Sequence, residues 1–308
     1  MQDRTVTAWR DNLNIPCSCA EQTVSSEVYD ENYYWEQDGP GGWRRFLETG
    51  GQQQTPGEGY LRSLGQLKDG MRVLDIGCGR GEFVLRCVQD HQLFSVGLDY
   101  SAAAVKVARD IVYQFGTEEQ KTRMLFIRAD AQRIPFADKS YDVIFSHHVV
   151  EHLYPDQLER MLRECHRLLK DGGLLVFETA PNLWRLRYGF PITRLAYRFL
   201  FLGDVYCRIM GVKEIPRQAK TSEDAMYHVG EQSVPSLKRV LQRNGFEFKV
   251  WVGLGTDSRF TREAFQKRFG RMGYPLYYLY YLVYGTFPFN LIFDDIIYAL
   301  AWPVRSRI

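Results

Sequence analysis

The chain has 308 residues, 45% of them apolar and 25% charged, which is the composition of an ordinary globular protein with room for one large domain or two small ones. A formal net charge of +2 is too small to mark a nucleic-acid binder by itself. Six scattered cysteines (Cys17, Cys19, Cys78, Cys87, Cys165, Cys207) exclude a disulfide framework. The charge is uneven, however: residues 183–272 hold 17 Lys/Arg against 8 Asp/Glu, so a basic region follows an acidic one. The first residues show no basic stretch leading into an apolar run, so a secretory signal is not expected and a reducing, cytoplasmic location is.

Residues 1–60 are polar and rich in Gly, Gln and Tyr, ending in Gly50-Gly51-Gln52-Gln53-Gln54 and Pro56-Gly57. They read as an irregular lead-in with one or two short helices, and the lone Cys17-x-Cys19 reads as surface thiols rather than half a zinc site. From Met71 short β-rich runs alternate with helical stretches. The strands expected are Arg72 to Ile76, Ser95 to Leu98, Leu125 to Arg128, Val143 to Ser146 and Leu174 to Thr179. Ser101 caps a helix running to Tyr113, and Pro155-Asp156 opens another, with Leu158, Met161, Leu162, Cys165 and Leu168 at helical spacing, stopped by Lys170-Asp171-Gly172-Gly173.

After Pro181 the alternation breaks. Residues 182–227 form a basic, aromatic insertion; a helix is expected over Ser233 to Asn244 and strands over Phe246 to Val252 and Ile296 to Trp302. The domain reading is therefore a core of 61–181 and 228–253, a cap of 182–227, and an aromatic insertion plus last strand in 254–308. The fold class is α/β: a doubly wound, mostly parallel sheet with helices on both faces and an inserted helical cap.

The strongest local signal is Val73-Leu74-Asp75-Ile76-Gly77-Cys78-Gly79-Arg80-Gly81-Glu82-Phe83, a strand running into a glycine loop and then a helix. Ligands of open α/β sheets bind beyond the carboxyl ends of the strands, where glycine lets backbone approach them. G-x-G-x-G differs from the G-x-G-x-x-G spacing that serves a pyrophosphate. The next strand ends in Asp99, about twenty residues on, where a carboxylate can accept ribose hydroxyls; Tyr100 and Ser101 follow where an adenine edge would lie. The third strand delivers Asp130 and Ala131, and the fourth delivers Ser146 and His147.

This ordered set resembles the class I S-adenosylmethionine-dependent methyltransferases with their Rossmann-like fold, and within them the group acting on small molecules, sugars and quinones. The likeness runs from about Leu61 to Val252. It implies S-adenosyl-L-methionine as the methyl donor, with Asp75, Gly77, Cys78, Gly79 and Gly81 around its methionine part, Asp99 on the ribose, Tyr100, Ser101, Asp130 and Ala131 near the adenine, and Ser146 and His147 beside the methyl group.

Transfer from a sulfonium needs an aligned acceptor and, for a hydroxyl, a base. Alignment can supply up to roughly 7 to 11 kcal/mol and a positioned base about 10²- to 10⁴-fold. His147-His148-Val149-Val150-Glu151-His152 holds half of the six histidines. On a helical turn His148, Glu151 and His152 share a face, and imidazole titrates near neutral pH. A second resemblance, to metal-dependent RNA 2′-hydroxyl methyltransferases with a Glu-x-x-Glu-His turn, covers His148-x-x-Glu151-His152 with His228 as a fourth group. Because His148 replaces a Glu, metal-free acid/base work by His148, Glu151, His152 and His228 is the preferred reading and a divalent metal the lesser one.

The cap carries Trp184, Arg185, Arg187, Tyr188, Phe190, Arg194, Tyr197 and Arg198, and the uncharged stretch Met272 to Phe293 is broken by Pro275, Gly285 and Pro288. The latter reads as a buried or interfacial helical hairpin rather than a membrane span. Together they suggest a surface for an anionic membrane or a greasy acceptor, or else a small core of their own. The function expected is O-methylation of a small-molecule, sugar or lipid-linked acceptor by a cytoplasmic enzyme with peripheral membrane contact as an option. The alternatives kept open are an RNA 2′-hydroxyl methyltransferase (nucleic acid being the weaker partner), a non-catalytic S-adenosylmethionine binder and a nicotinamide-dependent oxidoreductase.

Overall fold

The computed structural model describes residues 23–36, 65–199, 207, 218–220, 224–253, 262–284 and 286–304. Cys17, Cys19, the glycine- and glutamine-rich stretch 50–57, much of the cap and Gly285 lie outside these residues.

A 3-10 turn, Ser26–Val28, precedes helix α1 (Glu31–Glu36). The core then runs β1 (Arg72–Ile76), α2 (Glu82–Asp90), β2 (Phe94–Asp99), α3 (Ala102–Phe115), α4 (Glu118–Lys121), β3 (Met124–Arg128), β4 (Tyr141–His147), a 3-10 turn (Val150–His152), α5 (Pro155–Leu168) and β5 (Leu169–Thr179). A π turn (Arg185–Gly189) leads into α6 (Phe190–Phe199), followed by α7 (Asp224–Tyr227), α8 (Val234–Arg243) and β6 (Phe246–Gly253). Last come α9 (Arg262–Phe269), α10 (Gly273–Tyr284), α11 (Asn290–Phe293) and β7 (Ile296–Pro303).

The strands form one sheet in the order β3-β2-β1-β4-β5-β7-β6. The first five are parallel, and β7 runs antiparallel between β5 and β6. The order reverses at β1, with β2 on one side and β4 on the other, which is where an open α/β sheet leaves a crevice beyond its carboxyl ends. Strand alternation sorts the core: Leu74 and Ile76 join Leu158, Met161, Leu237 and Leu241 of α5 and α8, whereas Val73 joins Phe83 and Cys87 of α2. Neighbouring residues of β1 thus serve opposite layers, and helices cover both faces as expected.

The helix starts follow from local chemistry. Ser101 Oγ accepts from the backbone N–H of Ala103 and Ala104, and Pro155 opens α5. That helix ends at Leu168, and residues 169–173 already belong to β5, because Leu169 pairs with Tyr141. Among the described residues no helix is long and apolar enough to cross a membrane. The tyrosine-rich stretch Met272 to Phe293 folds as α10 and α11, with α10 packed against the preceding α9 through a 3-10 turn, Gly270–Met272. It is not buried: Tyr278, Leu279 and Leu282 are exposed.

Candidate functional site

The glycine loop after β1 is folded over the end of β2. Gly77 and Cys78 donate their N–H groups to the Leu98 carbonyl at 2.7 and 3.0 Å, and Gly79 donates to Asp99 Oδ2 at 2.9 Å. Gly77 (φ 73°) stands so close to Val149 that a Cβ would collide with its Cγ2, so both conformation and space demand glycine there. Asp99 Oδ1 accepts from Ser101 N at 2.8 Å. Each carboxylate oxygen keeps a lone pair for a further donor. Burial raises the Asp99 carboxyl to about 6 against the pull of the Ser101, Gly79 and Tyr100 N–H groups, so it is ionised at neutral pH.

A cavity of ≈ 340 Å³ opens at this point, within the range of small-molecule sites. Of the sequence-derived donor residues, Gly77, Cys78, Gly79, Asp99, Tyr100, Asp130, Ala131 and His147 line it. Asp130 has its carboxylate engaged by Gln132, whose N and Nε2 donate at 2.9 and 3.1 Å. Asp75, Gly81, Ser101 and Ser146 are not in the wall. Asp75 is buried and its carboxyl is raised well above the usual range by burial and by Asp99 and Glu82. Gly81 packs where a Cβ would press on the Phe126 ring, Ser101 is the cap of α3, and Ser146 is buried inside β4.

The catalytic quartet departs from expectation. His148, Glu151 and His152 do not share one face of a helical turn. His148 adopts φ 54°, a left-handed conformation uncommon outside glycine, and only Val150–His152 forms a 3-10 turn. The chain therefore pivots at His148, and Glu151 stands between two sets of imidazoles. On one side His148 Nδ1 pairs with Glu151 Oε1 at 2.8 Å, and both His147 and His148 turn Nε2 toward Glu178 Oε1, at 3.1 and 3.9 Å. On the other side His152 Nδ1 meets the Tyr29 hydroxyl at 3.1 Å and the Tyr227 carbonyl at 3.2 Å, and its ring lies 4.9 Å from that of His228. His148 and His152 line the cavity; Glu151 and His228 stand behind it.

Glu151 is buried and held by two donors besides its electrostatic partner: Thr179 Oγ1 donates to Oε2 at 2.7 Å and Ala180 N to Oε1 at 3.4 Å, with His148 at 2.8 Å. Burial opposes its charge, but the bond to His148 and the surrounding imidazoles more than offset it and hold the carboxyl at about 2. Burial likewise works against a charged His148, yet Glu151 and Glu178 lift it to about 9. His152 moves the other way. Burial and His228 depress it below its ordinary value despite Glu151. At neutral pH His148 is an imidazolium, and His152 is neutral with a lone pair.

Two groups place metal-ligating atoms within 4.8 Å of one another: His147, His148 and Glu178, and Glu151, His152 and His228. Beside the first, His148 Nδ1 is paired with Glu151, and in the second His152 Nδ1 is engaged by the Tyr29 hydroxyl and the Tyr227 carbonyl. Sequence reasoning missed Glu178, visible only as a carboxylate at the end of a strand, and the aromatic wall from the lead-in: Tyr29, Tyr33 and Tyr34 line the cavity. Ser101 Oγ donates to the Tyr29 carbonyl at 2.7 Å and Arg80 Nη1 to the Tyr34 carbonyl at 2.9 Å. The tyrosines at 29 and 33 stand one helical turn apart, a signal that could have been read.

Residues 74–177, the span from β1 through β5 that carries this geometry, match the model of the methyltransferase domain family. These residues form a methyltransferase domain. It is 34% identical over 115 residues to the 27-O-demethylrifamycin SV methyltransferase of Amycolatopsis mediterranei, covering 37% of this chain and 40% of that one. It is 27% identical over 258 residues to the fatty-acid O-methyltransferase of Mycolicibacterium smegmatis, covering 78% of this chain and 85% of that one. The chain thus spans less than half the length of the first of these relatives. Among solved structures, phosphoethanolamine N-methyltransferase 2 of Haemonchus contortus, in complex with S-adenosyl-L-methionine, superposes with a TM-score of 0.52 at 17% identity over 91% of this chain and 58% of that one, a likeness of fold. The methyltransferase domain accordingly has the Rossmann-like sheet anticipated from its strands.

Proposed function

We propose that the protein is an S-adenosylmethionine-dependent methyltransferase that alkylates an oxygen of a small-molecule, sugar or lipid-linked acceptor. The observation that carries this reading is one cavity in which the ionised Asp99 and the glycine loop face a neutral imidazole, His152, across the end of β4.

The residues fit the donor. Asp99 presents a buried carboxylate to the cavity, oriented by the N–H groups of Gly79 and Ser101. Tyr29, Tyr33 and Tyr34 supply ring faces along the same cavity, and such faces attract a cation. When bound, S-adenosylmethionine supplies an electrophilic methyl group on a sulfonium. The chain's own residues do the rest. Asp99, Gly77, Gly79, Tyr100 and Ala131 hold and orient the nucleoside end, and the tyrosine wall excludes water. His152, neutral and lining the cavity, takes the acceptor's proton at its imidazole nitrogen. His148 and Glu151 fix the local charge, with His148 as a cation at the cavity wall. His228 sets the polarity next to His152.

The acceptor class rests on the fatty-acid and rifamycin O-methyltransferase relatives and on the apolar cap. A metal-assisted version is supported by one observation, the approach of Glu151, His152 and His228. Calorimetry with S-adenosylhomocysteine tests the donor assignment, and its failure would end this reading. Transfer of labelled methyl groups to fatty acids and phenols, with and without EDTA, tests the rest. Turnover that survives the chelator supports the acid/base version, and turnover abolished by it and restored by a divalent ion replaces it with the metal one.

A further inference from the structure

Away from the cavity, α6, α10 and α11 and the turn before α11 expose large apolar side chains. Leu195 and Leu279 are both 57% exposed and Phe287 78%, beside Ile192, Tyr278, Leu282 and Phe289. The elements pack in series: the π turn that enters α6 lies against α11, and α11 against α10. Gly189 of that turn is in backbone contact with Ile292, where a Cβ would collide with the carbonyl. Soluble monomers seldom expose so much contiguous apolar surface without a use for it.

Charge identifies what would cover it. Residues 183–199 and 262–295, which make up this face and its margins, contain eight Lys/Arg against three Asp/Glu, of which Asp294 is buried and Asp295 pairs with Arg185. At its margins Arg187 lies over the Tyr188 ring and Arg262 over the Tyr274 ring, the latter at 4.5 Å. A second copy of the chain would bring cations against cations. An anionic lipid surface meets both demands, taking up apolar and tyrosine side chains at headgroup depth and pairing the guanidinium and ammonium groups with phosphates. Helix α10 has 12 residues, too short to span a hydrocarbon core that needs about 20.

We infer that the face formed by α6, α10 and α11 is a docking surface for a bilayer carrying anionic lipids. The end of β5 links it to the residues behind the cavity wall. Glu178 and Thr179, which hold His147 and Glu151, are followed at once by Asn182, whose Nδ2 donates to the Leu291 and Asp294 carbonyls at 3.0 and 3.1 Å. A lipid-borne acceptor is thereby presented beside the imidazoles. That last step rests on the proposed methyl transfer, whereas lipid docking stands on the surface alone.

The test is flotation of the full chain with phosphatidylcholine vesicles and with vesicles containing phosphatidylglycerol. Binding is expected on the anionic vesicles, weakened by salt. The double variant Leu279→Glu, Leu282→Glu should lower it by at least about tenfold, because affinity scales with buried apolar area and charge. Both changes fall on exposed positions, so the melting curve and S-adenosylhomocysteine affinity should stay as in the parent, which separates this result from a failure of the donor reading. No flotation with anionic vesicles at low salt overturns the proposal. So does a variant that floats like the parent, or a dimer by light scattering that the double variant dissociates in a chain that binds no vesicles.

Discussion

His148 Nδ1 lies 2.8 Å from Glu151 Oε1, and this contact sets the charge of both residues. The imidazole is raised from its ordinary 6.5 to about 9 and the carboxyl lowered from 4.5 to about 2. A raised base stabilises the fold fully below its unfolded value and loses that contribution as pH climbs through about 9. A lowered acid stabilises it above 4.5 and loses that contribution as pH falls through about 2. The pair is therefore worth most between pH 4.5 and 6.5. Melting curves of His148→Gln should lie furthest below the parent in that window and converge with it toward pH 9 and above. A constant offset across the range would count against the ion pair.

His152 is the imidazole that is neutral at pH 7. His152→Ala should lower turnover by about 10²- to 10⁴-fold while S-adenosylhomocysteine affinity stays nearly the same. The pH profile of kcat/KM should be flat from about 6.5 upward and fall on the acid side, because burial depresses this group below 6.5. An inflection near 9 would instead point to His148 as the titrating residue.

Asp99 stands at about 6, so donor affinity should weaken as pH drops through that value and the carboxylate gains a proton. Asp99→Ala should weaken binding by about 10- to 100-fold, the scale of a lost hydrogen bond to a charged group, and should remove the pH dependence. Calorimetry at pH 5 and pH 7.5 reads both effects; a pH-independent parent would separate Asp99 from the donor.

Gly81 tests which glycines serve packing. Its φ is 76°, and an added Cβ would sit 2.6 Å from the Phe126 ring. Gly81→Ala should cost about 1 to 3 kcal/mol through overpacking and strain, seen as a lower unfolding midpoint in urea. Donor affinity should change little, since Gly81 is outside the cavity wall. The opposite pattern, intact stability with lost binding, would return it to the donor contacts.

The half of the cavity formed by the glycine loop and Asp99 was legible because its signals are local. A strand, its glycine loop and the carboxylate at the end of the next strand sit within about thirty residues, and side-chain periodicity places them without knowledge of the rest of the fold. The acceptor half was not legible, because it is assembled from distant pieces: Tyr29 reaches His152 across 123 positions. A single left-handed residue, His148, defeated the helical-face argument, since spacing says nothing about φ. Likewise the last strand was anticipated at Ile296 to Trp302, but its place between β5 and β6 is a matter of topology that its residue pattern does not encode.

That placement has a consequence for the order in which the protein can be completed. Among the described residues strand β6 pairs with β7 alone, and β5 gains its outer neighbour from β7 as well. A nascent chain on the ribosome can close the nucleoside pocket once β1 through β5 have emerged, but it carries an open edge at β5 and an unattached β6 until residues 296–303 are translated. Such an edge is a template for aggregation. A chain halted before Ile296 should emerge insoluble, read as the soluble fraction after expression.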